Sequence, residues 1–214
     1  MLDVSRFIIL DHVQFSEGSY QNRNYIRGPA GQPLRLTVPV RHRHGQAIAD
    51  VRIDDGQPWT RRHWRTLEQA YARAPYWNDC ADRLRALYEQ PWTRLADLNL
   101  AMIRLLANEL GLDVALLRSS QIAPSGTRTG MLIDLCRRTG ANVLRTGTGA
   151  TRYLDQAALT SARIAVEIAT YNCPPYPQGR GPFTPRLSVL DLILSTGPEA
   201  ATILQAGAAC RRWP

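Results

Sequence analysis

The chain has 214 residues, of which 44% are hydrophobic and 21% charged; this is an ordinary globular balance, sufficient for a core without disulfide or metal staples and for one large domain. No lysine occurs, so arginine carries all 26 positive charges behind the formal net charge of +8; these charges are spread along the chain, which suits nucleotides, phosphorylated sugars or an acidic protein partner and offers no aromatic-basic nucleic-acid module. No apolar run reaches membrane-span length, no secretory leader is evident, and Cys80, Cys136, Cys173 and Cys210 stand far apart without metal-ligand spacing, so a cytoplasmic chain with reduced thiols, no metal and no membrane partner is expected.

The first predicted element is a strand over residues 7–10, where Phe7, Ile8, Ile9 and Leu10 form a continuous apolar run of the kind buried on both faces of a sheet. Residues 21–24 then bring amide and guanidinium groups together, either as a solvated loop or as a polar site wall. The turn cluster at 28–31 separates two extended runs, and residues 24–40 read as a hairpin with Pro39 at its end. A short strand is expected over 47–54. Pro58 opens a helical stretch to Tyr71, with Trp59, His63, Leu67 and Tyr71 at helical spacing. Ala74-Pro75 breaks it, Asn78 or Asp79 caps a second helix to about Tyr88, and Thr93 caps a third through Glu109, ended by Gly111.

From residue 114 the order becomes regular: a strand at 114–117, a helix at 129–139 closed by Gly140, a strand at 142–144, a helix at 153–162 and a strand at 164–168. Residues 174–177 carry three prolines, Ser188 caps a helix over 189–194, and 198–208 reads as helical towards the end. Strand-helix alternation predicts an α/β fold: a mainly parallel sheet with helices on both faces, plus the β-hairpin and a helical insertion over 58–110, all within a single domain. If the strands are parallel, the polar residues after each of them share one sheet edge, which is where ligands collect in such folds. These are Asp11 and Gln14, Ser119 and Ser120, the 145–149 loop, and Tyr171.

Asp11 is a site candidate because a carboxylate at a buried strand end must be solvated or paired. Gln14, Asn22 and Arg23 can orient an amide or carboxylate, Arg23 in bidentate fashion, or else stabilise their loop. Ser119 and Ser120 lack a nucleophile elbow around them and suit helix capping or a phosphate contact. The 145–149 loop has no Walker-type lysine after it; its backbone N–H groups could still meet an anion such as a pantetheine or sugar phosphate.

Several stretches together resemble the WbqC-like family. They are residues 11–15 (DHVQF), 21–24 (QNRN), 36–40 (LTVPV) and the helix from His63 to Pro75, then 132–136 (LIDLC), 140–141 with the following Gly-Thr-Gly, 153–155 (YLD), 176–178 (YPQ) and 183–192 (FTPRLSVLDL). The match runs in order over nearly the whole chain. The family usually opens with a further strand and a Gln-Pro unit, and this sequence reads as starting after it. The resemblance implies a role in handling acyl or aminoacyl groups in O-antigen, polyketide or peptide biosynthesis in bacteria, with a carrier protein delivering the group on its phosphopantetheine arm and no other cofactor.

At family-like positions, Cys136 and His63 form a candidate thiol-imidazole pair for acyl exchange, against the bland alternative of a buried cysteine and a helix-face histidine. His63 or Asp11 could instead serve as a base for direct attack by an amine. The resemblance also makes Tyr176 and Gln178, with Tyr171, pocket-shaping residues of the proline-rich loop. Two functions of different class follow: transfer or cyclisation of an aminoacyl group from an acidic carrier protein's thioester onto a small-molecule amine, or non-catalytic binding of a ligand or partner.

Overall fold

The computed structural model describes residues 1–179 and 181–213. In chain order it comprises β1 (Arg6–Ile9), β2 (Arg23–Arg27), β3 (Pro33–Thr37), β4 (Val40–Arg41) and β5 (Arg52–Ile53), then α1 (Trp59–Tyr71), α2 (Trp77–Glu89) and α3 (Leu95–Glu109). There follow β6 (Ala115–Arg118), α4 (Ser119–Ile122), α5 (Arg128–Thr139), β7 (Val143–Gly147), α6 (Gln156–Ser161), β8 (Ala165–Tyr171), α7 (Val189–Thr196), α8 (Ala200–Gly207) and β9 (Ala208–Arg212). The fold divides into two compact units: one holds Met1–Leu10, Val114–Asn172 and the chain from Gln205 onward, the other Asp11–Asp113 and Cys173–Leu204. The helical stretch over 58–110 lies wholly in the second.

In the first unit β1 pairs with β6 in parallel, Arg6 opposite Ala115 and Ile9 opposite Arg118. β7 pairs with β8 in parallel, and β8 carries β9 on its other side in antiparallel register, with Ala169 opposite Cys210. The apolar face of α5 supplies Ile133 and Cys136 to a core with Leu159 of α6 and Ile164, Val166 and Ile168 at and along β8. Alternation along β8 places Val166 and Ile168 inward, at 4% and 0% exposure, as a half-buried strand requires. Gly140 closes α5 in the left-handed conformation, its N–H reaching back to the last turn. Asp155 caps α6 by accepting from the Ala158 N–H at 3.1 Å.

The second unit joins the β2–β3 hairpin, with Arg23 opposite Thr37 and Arg27 opposite Pro33, to helices α1, α2, α3 and α7. α1 presents Trp59, His63, Leu67 and Tyr71 inward, one residue every four, and α2 presents Trp77, Cys80, Leu84 and Leu87. Leu67, Leu84, Leu95 and Leu194 are at most 1% exposed; each contributes about 1.5–3 kcal/mol of burial. Ser188 caps α7, as its position before an apolar helical run predicts.

The expectation of mixed α and β structure holds, but the strands do not form one mainly parallel sheet. Among the described residues pairing is divided into four small sheets, with two parallel and three antiparallel pairs. The run at 7–10 is half-buried rather than enclosed on both faces, since among the described residues β1 has one ladder partner, β6. Residues 47–54 make a single 3-10 turn, Ile48–Asp50, before the two-residue β5. The predicted caps at Asn78 or Asp79 and at Thr93 give way to starts at Trp77 and Leu95 without side-chain capping bonds. The C-terminal segment leaves the helix at Gly207 and becomes β9, because pairing with the open edge of β8 outweighs the helix propensity of its alanines.

Candidate functional site

A concavity of the second unit lies where the first turns of α1 meet the last turn of α2. It has a volume of about 560 Å³ and is lined by Trp59, Arg61, Trp64, Arg85, Tyr88 and Trp92, with carboxylates of Asp55 and Glu89 and the amides of Gln57 and Gln90 at its rim. That volume is in the range of small-molecule sites. The periodicity of α1 explains the arrangement: Trp59 and His63 point into the core, whereas Arg61 and Trp64 stand on the flank that faces α2. The Trp59 and Tyr88 rings are 6.1 Å apart, Trp64 and Tyr88 6.4 Å, and the Trp92 indole N–H donates to the Leu87 carbonyl at 2.7 Å. The Arg85 guanidinium sits 5.8 Å from the Trp64 ring centre and pairs with Glu89 at 2.9 Å. Burial pushes the Tyr88 phenol well above its usual range, so it stays protonated.

His63 is not a free base in this pocket. Its ring lies edge-on to Trp59 and Tyr88, is 8% exposed, and its Nε2 lies 3.0 Å from the Thr37 carbonyl. A carbonyl only accepts, so Nε2 carries the proton and donates. Burial holds the imidazole below its ordinary pKa, and the donation to Thr37 opposes this without cancelling it. His63 is thus a neutral tie between α1 and the hairpin.

A second polar centre is built inside the same unit around Asp191, which is fully buried on α7. Its carboxylate accepts from the Tyr71 hydroxyl at 2.9 Å, the Tyr176 hydroxyl at 2.8 Å and Gln178 Nε2 at 3.0 Å. Gln178 in turn accepts from Arg27 at 2.9 Å and from the Thr184 N–H at 2.8 Å. Arg27 also reaches the Pro182 carbonyl and the Thr184 hydroxyl, and its own N–H donates to Tyr71 at 3.0 Å. This network ties the proline-rich loop to the hairpin and to α1. It satisfies a carboxylate and a guanidinium that would be costly to bury alone. Burial and the neighbouring Asp191 push both tyrosine phenols far upward, so they act as donors. Tyr176 and Gln178, expected to shape a pocket, are brought together here as fixed members of this network.

The remaining expected residues are dispersed. Asp11 is 1% exposed, and its carbonyl accepts from the Ala49 N–H at 2.8 Å. Gln14 is exposed and makes an isolated bridge with Ala47. Asn22 brackets Val38, its Nδ2 donating to the Val38 carbonyl at 3.0 Å while the Val38 N–H donates to its backbone oxygen at 2.8 Å. Among the described residues, Asn22 Oδ1 and Arg23 Nε are buried without a hydrogen-bond partner in the chain.

In the first unit, Ser119 is fully buried and Ser120 half-buried at the start of α4, after the end of β6 that lies beside β1, while Tyr171 is 50% exposed at the end of β8. The 145–149 segment is mostly strand: Arg145, Thr146 and Gly147 belong to β7, and Arg145 pairs with Glu167 at 2.8 Å and donates to the Leu2 carbonyl. Cys136 is 4% exposed in the apolar core, and burial raises its thiol pKa. Cys136 and His63 are each enclosed in the core of their own unit. No group of three or more His, Cys, Asp or Glu residues suited to a metal occurs among the described residues, and no helix there is long and apolar enough to cross a membrane.

The model of the WbqC-like protein family matches residues 1–203. The chain belongs to that family. It is 32% identical over 205 residues to the uncharacterised protein Rv1507c of Mycobacterium tuberculosis (strain ATCC 25618 / H37Rv), a match spanning 94% of this chain and 88% of that one. No solved structure matches the chain. The family match takes in both units, from the first strand through the first half of α8, and therefore includes the aromatic pocket and the Asp191 network.

The pocket residues were not singled out from sequence. Trp64, Arg85 and Trp92 come from three separate segments, and each reads as an ordinary helix-face or turn residue by itself. Asp191 left a clearer signal: it is one carboxylate within the apolar run Val189-Leu190-Asp191-Leu192-Ile193-Leu194, and such a group must find buried partners.

Proposed function

We propose that this WbqC-like protein transfers an acyl or aminoacyl group from the phosphopantetheine thioester of an acidic carrier protein directly to a small-molecule amine, without carrying the group itself. The amine nitrogen attacks the thioester carbonyl, the C–N bond forms, the C–S bond breaks, and the proton lost by nitrogen balances the thiol released. Direct aminolysis of this kind needs binding and orientation more than a protein nucleophile. The observation that carries the reading is the aromatic pocket between α1 and α2, which offers a positioning site of about 560 Å³. The enclosure of Cys136 supports direct attack over a covalent intermediate, since a thiol held in its protonated form is a poor nucleophile. The net charge of +8 favours encounter with an acidic carrier.

The test is to mix the protein with an aminoacyl-loaded carrier protein and a panel of amines, and to follow thioester loss and amide formation by mass spectrometry. Amide formation faster than in the protein-free control is expected. No acceleration with any amine would overturn the reading in favour of non-catalytic ligand binding, which the locked, neutral state of His63 favours.

A further inference from the structure

We infer that the pocket between α1 and α2 holds a sugar ring bearing an anionic group, a phosphate or a carboxylate, as the amine-bearing acceptor of the transfer. The lining divides into three chemistries that such a ligand needs at once. The half-buried Trp64, Tyr88 and Trp92 supply apolar ring surface, on which the C–H face of a pyranose lies flat. Glu89, Gln57 and Gln90 at the rim supply acceptors and amide donors that match ring hydroxyls or a ring amine.

The anion is assigned to Arg61. Of the two arginines in the lining, Arg85 is already engaged by Glu89 at 2.9 Å and lies 5.8 Å from the Trp64 ring centre. Arg61 is exposed and has no ion-pair partner among the described residues. A guanidinium beside an aromatic shelf gives a forked donor for phosphate or carboxylate at one end of a stacked ring. A purely apolar ligand would make no use of the Arg61 guanidinium. A free inorganic anion would leave most of the cavity empty.

The inference rests on the proposed transfer only for the role of acceptor; binding itself is measured without turnover. Intrinsic tryptophan fluorescence is titrated with glucosamine 1-phosphate, glucose 1-phosphate, glucuronate, glucose, phenyl phosphate and inorganic phosphate, using the full chain and its Arg61→Gln and Arg65→Gln variants. Arg65 is exposed one turn further along α1 and lies outside the pocket lining. Saturable quenching by a sugar phosphate or by glucuronate is expected, weakened about tenfold in Arg61→Gln through loss of a charge-assisted contact and unchanged in Arg65→Gln; the stronger of the two ligands identifies the anion.

Phenyl phosphate or inorganic phosphate binding as tightly as the sugar phosphate would overturn the inference, as would indifference to Arg61→Gln or the absence of saturable quenching. Amide formation in the carrier-protein assay without any sugar binding leaves the transfer standing and overturns this inference. Sugar binding without amide formation does the reverse.

Discussion

The hydroxyl of Tyr71 donates to the Asp191 carboxylate at 2.9 Å while accepting the Arg27 N–H at 3.0 Å. One oxygen therefore joins α1, α7 and the hairpin at a point where no solvent can replace either bond. Removing it in Tyr71→Phe keeps the ring packing and leaves a buried N–H unpaired and a carboxylate short of one donor. The expected loss is about 2–4 kcal/mol, above the usual cost of a single hydrogen bond because two buried partners are stranded. Urea unfolding checks it: the midpoint falls with an unchanged slope. A midpoint within error of the wild type would mean that the network carries no stability.

Gly197 supports a close approach of a different kind. A Cβ at this position would lie 2.3 Å from Cε1 of Tyr76, and the glycine φ is 53°. Gly197→Ala must therefore displace the ring and strain the backbone, and a loss of about 2–4 kcal/mol is expected. Tyr76→Ala combined with Gly197→Ala removes the clash but not the backbone strain, so a double-mutant cycle should show partial rescue.

The neutral His63 gives stability a definite pH dependence. Its folded pKa lies below the ordinary value of 6.5 because of burial, so the unfolded chain binds the proton first as pH falls. The contribution of His63 is complete above about pH 7 and is lost progressively below 6.5, until the folded pKa is passed. His63→Gln should flatten the fall in unfolding free energy between about pH 7 and 5, measured against the wild type at matched ionic strength. An unchanged profile would show that the imidazole is not buried as described.

How far these features were legible in the chain varied with their range. The inward face of α1, the hairpin, the Ser188 cap and the Gly140 stop follow from spacing and residue type within a few positions, and the fold keeps them. The division of the strands into small sheets depends on which distant segments meet. Nothing in the apolar run Phe7-Ile8-Ile9-Leu10 reveals that, among the described residues, it pairs with β6 alone. Alanine at Ala208 and Ala209 argues for helix locally and is overruled by β8. At the candidate sites, Tyr176 and Gln178 were marked by the proline-rich loop, but Arg27 and Tyr71, which complete their network, lie over a hundred residues earlier and look like routine strand and helix residues. The aromatic pocket was invisible for the same reason.

Reactivity separates the four cysteines. Burial pushes the Cys80 thiol up to about 11 and raises that of Cys136; desolvation and the Glu167 carboxylate also raise the Cys210 thiol, but Cys210 is exposed and Cys173 half-buried, so access separates the two pairs. Under native conditions at pH 8, iodoacetamide should leave Cys80 and Cys136 unmodified while labelling Cys173 and Cys210, and all four should react in urea. Peptide mapping reads the outcome, and rapid native labelling of Cys136 would reopen its role as a nucleophile.

In the proposed reaction the acyl group passes to the amine without an enzyme-bound intermediate. Its most direct measurement is the intact mass of the protein, quenched at intervals during turnover of an aminoacyl-loaded carrier protein and an amine, alongside Cys136→Ala. Direct transfer predicts an unmodified protein mass at every time point and full activity in Cys136→Ala. A mass increase equal to the acyl group that rises and decays with turnover, and is absent together with activity in Cys136→Ala, would contradict it.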